Sequence, residues 1–181
     1  FLLDNLPDNV HLHLANSMSV RYANILGLPK NKTVKVFSNR GTSGIDGSSS
    51  TAVGHAIAVP DRVHILITGD MAFFYDRNAF WHNYPLSNLK VLLLNNHAGI
   101  IFRLIDAAHQ PELEEYFETR QNLDANLSAQ ELGFRYWKAT TAMQFHEGFR
   151  AWLCEKEKPA LLEIIADKED SVSLYRSLMK K

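Results

Sequence analysis

Two runs of this chain, residues 63–68 and 90–94, are apolar at nearly every position instead of alternating with polar side chains. Strands of that composition have to be covered on both faces, which requires a central place in a parallel sheet flanked by helices. Four further short runs, at 11–15, 33–37, 134–139 and 160–166, have strand length and are bounded by Gly, Pro, Asn or Asp. Amphipathic stretches separate them. Met18, Tyr22, Ile25 and Leu26 fall on one helical face behind an Asn16-Ser17 cap. Phe145, Phe149, Trp152 and Leu153 repeat that spacing behind a Thr141-x-x-Gln144 capping box, and Ser128-x-x-Glu131 has the pattern of a second box. Strand and helix in regular succession predict an α/β fold, a parallel sheet of about six strands with helices on both faces. No Pro, Gly and Ser linker divides the 181 residues, so 1–181 reads as a single domain. The least patterned segment, 106–126, reads as a solvated, mobile surface excursion.

Composition narrows the function classes. With 46% hydrophobic and 22% charged residues the chain is neither disordered nor a coiled coil. A formal charge of −1 leaves no electrostatic footprint for a nucleic-acid backbone or an anionic membrane. The apolar runs fall far short of the roughly 20 residues that span a bilayer. Cys154 is the only cysteine, so no internal disulfide forms and a reducing cytoplasm is the expected compartment. Its place in an amphipathic stretch predicts a buried thiol. His11 and His13 share a strand face but have no third ligand in the pattern, which predicts structural histidines. The chain opens on Phe1 and reads as a piece of something longer.

In open parallel sheets, ligands bind beyond the carboxyl ends of the strands. Polar and glycine residues collect there: Asn16-Ser17, the stretch from Ser38 to Gly47, Gly69-Asp70-Met71, and Asn95-Asn96-His97-Ala98-Gly99. Residues 63–94 have the length of one strand–helix–strand crossover, which puts Asp70 and Asn96 on the same sheet edge. A carboxylate and an amide oxygen there suit a hard cation that completes its shell with phosphate oxygens. The same residues also suit a helix cap and a turn.

Gly69-Asp70 followed by Asn95-Asn96 resembles the diphosphate–metal motif of thiamine-diphosphate enzymes. Ser38-Asn39-Arg40-Gly41-Thr42-Ser43-Gly44-Ile45-Asp46-Gly47 is similar to the signature of one branch, the 2-succinyl-5-enolpyruvyl-6-hydroxy-3-cyclohexene-1-carboxylate synthases of menaquinone biosynthesis. Asn16-Ser17-x-x-Val20-Arg21, Tyr75-Asp76-x-Asn78-Ala79 and Ile101-Phe102 match that branch in the same order, so specific motifs cover 16–102. The resemblance implies a thiamine-diphosphate-dependent transferase that decarboxylates 2-oxoglutarate and adds the succinyl-semialdehyde carbanion to isochorismate. This chain then corresponds to the last, diphosphate-binding domain of three.

The resemblance also distributes roles. Asp70 and Asn96 ligate Mg²⁺ or Mn²⁺ through side chains and Ala98 through its carbonyl. Gly69, Met71, Ala72, Gly99 and Ile100 border the diphosphate, where a helix N-terminus favours negative charge. Asn16, Ser17, Ser43 and Gly44 also contact the cofactor, and Ile45 wedges between its two rings. Ser17, Arg21, Arg40, Ile101 and Phe102 face the substrates. Ala72 stands where the family usually has a hydroxyl residue, and Met71 replaces the motif's third glycine. The activating glutamate of the family lies on the pyrimidine-binding domain of a partner subunit in a homo-oligomer. No residue here matches it, so this chain alone is expected to be inactive. Within the superfamily, acetolactate synthases and 2-oxo-acid decarboxylases are the alternatives, and outside catalysis a binding module of the same fold. Arg21 and Arg40 favour a substrate with several carboxylates.

Overall fold

A strand with both faces apolar needs a packed layer on each side of its sheet, and the computed structural model, which describes residues 1–104 and 112–180, shows that arrangement. Strands β1 (Val10–Leu14), β2 (Val34–Phe37), β3 (His64–Gly69), β4 (Leu89–Asn95), β5 (Arg135–Ala139) and β6 (Ala160–Ile165) form one sheet in the order β2-β1-β3-β4-β6-β5. Every pairing is parallel. All six strands lie within a residue or so of the bounds expected from composition. The helices are α1 (Met18–Leu26), α2 (Ser48–Ala58), α3 (Asp70–Tyr75), α4 (Ala125–Glu131), α5 (Ala142–Cys154) and α6 (Lys168–Met179).

Alternate strand residues feed two separate cores. Leu12, Leu14, Ile65, Ile67, Leu92 and Leu162 pack with Val20 and Ala23 of α1 and with Phe149 and Trp152 of α5. Leu66, Val91, Leu93 and Leu161 pack on the other side with Ala52, Val53 and Ala56 of α2, Phe73 of α3, and Ala125 and Ala129 of α4. Fully buried Trp152 anchors α5, its indole N–H donating to the carbonyls of Val91 and Ala160 at 3.1 and 3.2 Å. Val172 of α6 packs with Met18, Ala98 and Ile100, so this last helix braces the turn after β4.

Four local expectations are corrected. In α1, Met18 is buried but Ile25 and Leu26 are 37% and 63% exposed, because the helix meets the sheet through Val20 and Ala23 and its last turn overhangs the cleft described below. Ser17 takes the cap position there without a side-chain cap bond. The Ser128 box does not start a helix: Asp124 caps α4, its Oδ1 accepting from Asn126 N at 2.9 Å, and Ser128 is a buried interior residue. Cys154 is exposed, since two residues beyond Trp152 a helix has turned to its opposite side. Half of the Thr141 box forms: Thr141 Oγ1 accepts from Gln144 N, while the Gln144 oxygen accepts from the N–H and hydroxyl of Thr140 and not from the cap's own N–H.

His11 and His13 lie in a cluster that two further histidines join. The His64 Nε2 atom lies 3.1 Å from the Val59 carbonyl, which can only accept, so that nitrogen carries the proton. His64 Nδ1 is then the acceptor for His13 Nε2 at 3.2 Å. The rings of His11 and His55 close the cluster, 4.8 Å from His64 and 5.1 Å from His13 respectively. Among the described residues no group of three His, Cys, Asp or Glu is placed to hold a metal.

Burial above all pushes His13 down to about 3 and His64 down to about 4. The unfolded chain takes up these protons near pH 6.5, the folded chain only at much lower pH. Below 6.5 the unfolded state therefore binds more protons, and stability falls as the solution is acidified toward the folded values. We predict a melting temperature that declines through this window, and imidazole NMR signals of His13 and His64 that titrate below about pH 5. Midpoints at the ordinary histidine value would contradict the buried, neutral assignment.

Candidate functional site

The carboxyl ends of β1, β3 and β4 open onto one cleft of about 1100 Å³. Here the strand order switches, since β1 leads outward to β2 while β3 leads to β4 on the other side. Ligands of open α/β sheets bind at such a switch. Asn16, Ser17, Arg21, Arg40, Ser43, Ile45, Gly69, Asp70, Met71, Ala72, Asn96, Ala98, Gly99, Ile100, Ile101 and Phe102 all line the cleft. Gly44 alone among the candidate residues does not. It contributes its carbonyl, which accepts from Asn16 Nδ2 at 2.7 Å.

Strand register places the central pair. Gly69 stands opposite Leu94, so Asp70 begins α3 beside Asn95 with Asn96 one position further on. Asp70 is only 3% exposed, and burial raises its pKa above the ordinary carboxylate value, with a hydrogen bond from Gln121 acting against that rise. Gly69 caps α3 without a side-chain bond. The capping side chain is thus absent, and the first-turn N–H groups of Asp70 and Met71 point instead toward the Asp70 carboxylate, which also holds its pKa down against burial.

The two adjacent asparagines have different tasks. Asn96 Oδ1 accepts from Ala98 N at 3.3 Å and shapes the turn that carries Ala98. Asn95 is fully buried and points away from the cleft: its Nδ2 donates to Glu163 Oε1 at 2.7 Å and to the Leu123 carbonyl at 3.0 Å. Glu163 is also fully buried and accepts from the Tyr136 hydroxyl at 2.5 Å and from Ala125 N at 3.2 Å. Burial first, and then this carboxylate, raise the pKa of Tyr136, which keeps its proton for the bond.

Ser17, Ser43 and Thr119 line the cleft with φ of 70°, 59° and 48°. Left-handed backbone at non-glycine residues is strained and concentrates at functional sites. Arg40 Nη1 donates to Asn16 Oδ1 at 3.0 Å, and Arg21 Nη1 donates to the Ser17 carbonyl at 2.7 Å. Each contact uses one nitrogen of a guanidinium that carries five N–H donors, so both arginines are oriented and still have donors to offer.

The segment expected to be a solvated excursion is mostly exposed where it is described, but Glu118 and Gln121 tie it to the site. Its portion 106–111 lies outside the described residues. Further on, Glu118 is 1% exposed and ion-paired with Arg103, and its carbonyl accepts from Gly99 N at 2.7 Å. The Gln121 backbone N–H donates to the His97 carbonyl at 3.1 Å, and its side chain reaches Asp70 and Asn95. Neither Gln121 nor Glu163 was a candidate from sequence. A lone acid within the apolar run 160–166 signals Glu163, while nothing local marks Gln121.

The family described as "Thiamine pyrophosphate enzyme, C-terminal TPP binding domain" matches residues 17–164, and the chain belongs to it. Within that class, the curated relatives it resembles carry one name. It is 48% identical over 180 residues to the 2-succinyl-5-enolpyruvyl-6-hydroxy-3-cyclohexene-1-carboxylate synthase of Cytophaga hutchinsonii, covering 99% of this chain and 32% of that protein. Its identity to the synthase of Christiangramia forsetii is 42% over 183 residues, 99% of this chain and 31% of that protein. The chain thus spans about a third of the length of these relatives. The solved Rhodococcus jostii RHA1 thiamine diphosphate-dependent 4-hydroxybenzoylformate decarboxylase superposes with a TM-score of 0.72 at 21% identity. That match covers 92% of this chain and 31% of that one, and it shows the shared fold.

The buried network makes a direct prediction. Glu163→Ala leaves the Asn95 amide, the Tyr136 hydroxyl and the Ala125 N–H without their shared acceptor. Unfolding in urea is expected to show a loss of about 3 kcal/mol, the scale of several unsatisfied buried donors. A loss below about 1 kcal/mol would mean that water replaces the carboxylate.

Proposed function

We propose that this chain is the diphosphate- and cation-holding domain of a 2-succinyl-5-enolpyruvyl-6-hydroxy-3-cyclohexene-1-carboxylate synthase, acting on 2-oxoglutarate and isochorismate. One observation carries the reading: a buried carboxylate, a neighbouring amide and two oriented arginines share one cleft at the sheet's switch point. The residues fit thiamine diphosphate with Mg²⁺ or Mn²⁺. Asp70 gives Oδ2 to Gln121, and no other side chain among the described residues reaches its second oxygen. Asp70, the Asn96 side chain and the Ala98 carbonyl form a hard oxygen donor set beside the first turn of α3, where a diphosphate would lie. Ala72 offers a backbone N–H but no hydroxyl there.

When bound, thiamine diphosphate supplies the electron sink that makes loss of CO₂ from a 2-oxo acid feasible. The chain's own residues bind and orient. Arg21 and Arg40 take substrate carboxylates in their guanidinium forks, with Ser17 beside them. Ile45, 39% exposed at the cleft, would offer the cofactor's rings an aliphatic side chain to pack against. Ile101 and Phe102 form an apolar wall against water. Two arginines favour this substrate pair over the monocarboxylates of acetolactate synthases and simple decarboxylases.

Activation of the cofactor belongs, on this reading, to a glutamate on the pyrimidine-binding domain of a second subunit in a homo-oligomer. The 181 residues alone are then inactive. Among the described residues no helix is long and apolar enough to cross a membrane. With a single, exposed, free thiol, the chain suits the cytoplasm.

Two variants of the full-length enzyme test the assignments. Asp70→Ala is expected to abolish Mg²⁺-dependent thiamine-diphosphate binding in calorimetry, and unchanged affinity would remove the site. Arg40→Ala is expected to leave cofactor affinity intact while kcat/KM for 2-oxoglutarate or isochorismate falls by about 2–4 kcal/mol. Wild-type kinetics for both substrates would make Arg40 a plain surface residue.

A further inference from the structure

Amide orientation in the network beneath Asp70 follows from donor and acceptor bookkeeping. Glu163 and the Leu123 carbonyl can only accept, so Asn95 must aim its NH₂ group at them, at 2.7 and 3.0 Å. The Asn95 oxygen then faces the other way, accepting from His97 N and from Gln121 Nε2, both at 3.1 Å. Gln121 is thereby obliged to present its own NH₂ group. The second proton of that group meets Asp70 Oδ2 at 2.9 Å, while the Gln121 oxygen accepts from the N–H of Leu123. Both side-chain protons and the oxygen of Gln121 are therefore engaged. The Glu163 carboxylate thus dictates, through two neutral amides, that an N–H and not an oxygen faces Asp70.

We propose that Gln121 is a positioning residue for the cation site: it clamps Asp70 Oδ2 so that the carboxylate presents its other oxygen to the cation. This rests on the reading of Asp70 as a cation ligand. A neutral donor suits the task, since it fixes the carboxylate without cancelling the charge that attracts the cation. A lysine or arginine in its place would pair with Asp70 and compete with the metal. Gln121 also ties the segment from Glu112 to Leu123 to the metal ligand, because its backbone N–H holds the His97 carbonyl next to Asn96 and Ala98.

The test uses the full-length enzyme with saturating thiamine diphosphate, titrated with Mn²⁺ and followed by electron paramagnetic resonance. Gln121→Met keeps the length and removes the donor, and Gln121→Asn keeps an amide one methylene too short. Each is expected to weaken Mn²⁺ binding about tenfold, the usual scale for loss of a partner that orients a metal ligand. The spectrum of the bound ion should also broaden, because an unclamped carboxylate samples more than one orientation. That change separates positioning from a purely structural role, which would lower thermal stability and leave the bound-ion spectrum unaltered. Wild-type affinity with an unaltered spectrum in either folded variant overturns the proposal. Asp70→Ala is the reference. Manganese uptake by the wild type that Asp70→Ala abolishes supports the site itself, so failure of the Gln121 variants then counts against Gln121 alone. A wild-type enzyme that takes up no manganese overturns both.

Discussion

Parallel pairing of β3 with β4, in the register that sets Gly69 against Leu94, holds the site together. Asp70 comes beside Asn95 and Asn96 only in that register. The register in turn is held by burial: Ile65, Ile67 and Leu92 fill one core while Leu66, Val91 and Leu93 fill the other. A slip of one residue would send each set to the wrong side. Each fully buried aliphatic side chain contributes about 1.5–3 kcal/mol, so the six together outweigh any preference of the polar strand ends. Hydrophobic packing thus decides where two chemically important polar residues stand.

The polar layer above that core is built to tolerate buried charge. Glu163 and Asp70 are both almost without solvent contact, yet they are separated by Asn95 and Gln121 instead of facing each other. Glu163 is satisfied by the Tyr136 hydroxyl, the Asn95 amide and a backbone N–H, the condition under which a buried carboxylate is tolerated. Asp70 accepts from the Gln121 amide and draws on the backbone N–H groups of its own helix start. Left-handed backbone at Ser17, Ser43 and Thr119 gathers around the same cleft.

The strands were legible because their composition leaves few alternatives: residues 63–68 and 90–94 are too apolar to sit at an edge. The site was legible in outline because strand ends collect ligand-binding residues, and because the stretch from Ser38 to Gly47 is specific enough to mark a family. What escaped depends on contacts between distant segments. Gln121 carries no local signature, and its role exists only because 112–123 folds back over His97 and Gly99. Ser128 resembles a cap in isolation and loses that role to Asp124, which reaches the helix first. The exposure of Ile25, Leu26 and Cys154 reflects which stripe of each helix finds the sheet, and amphipathic spacing alone does not say where a helix outruns its partner.

Anomalous diffraction from crystals of the full-length enzyme grown with thiamine diphosphate and Mn²⁺ tests the central claim most directly. The account predicts a manganese peak at the carboxyl ends of β3 and β4, bonded to the Asp70 carboxylate, the Asn96 side-chain oxygen and the Ala98 carbonyl. A manganese ion held by other residues, with the Asp70 carboxylate turned away from it, would contradict the account.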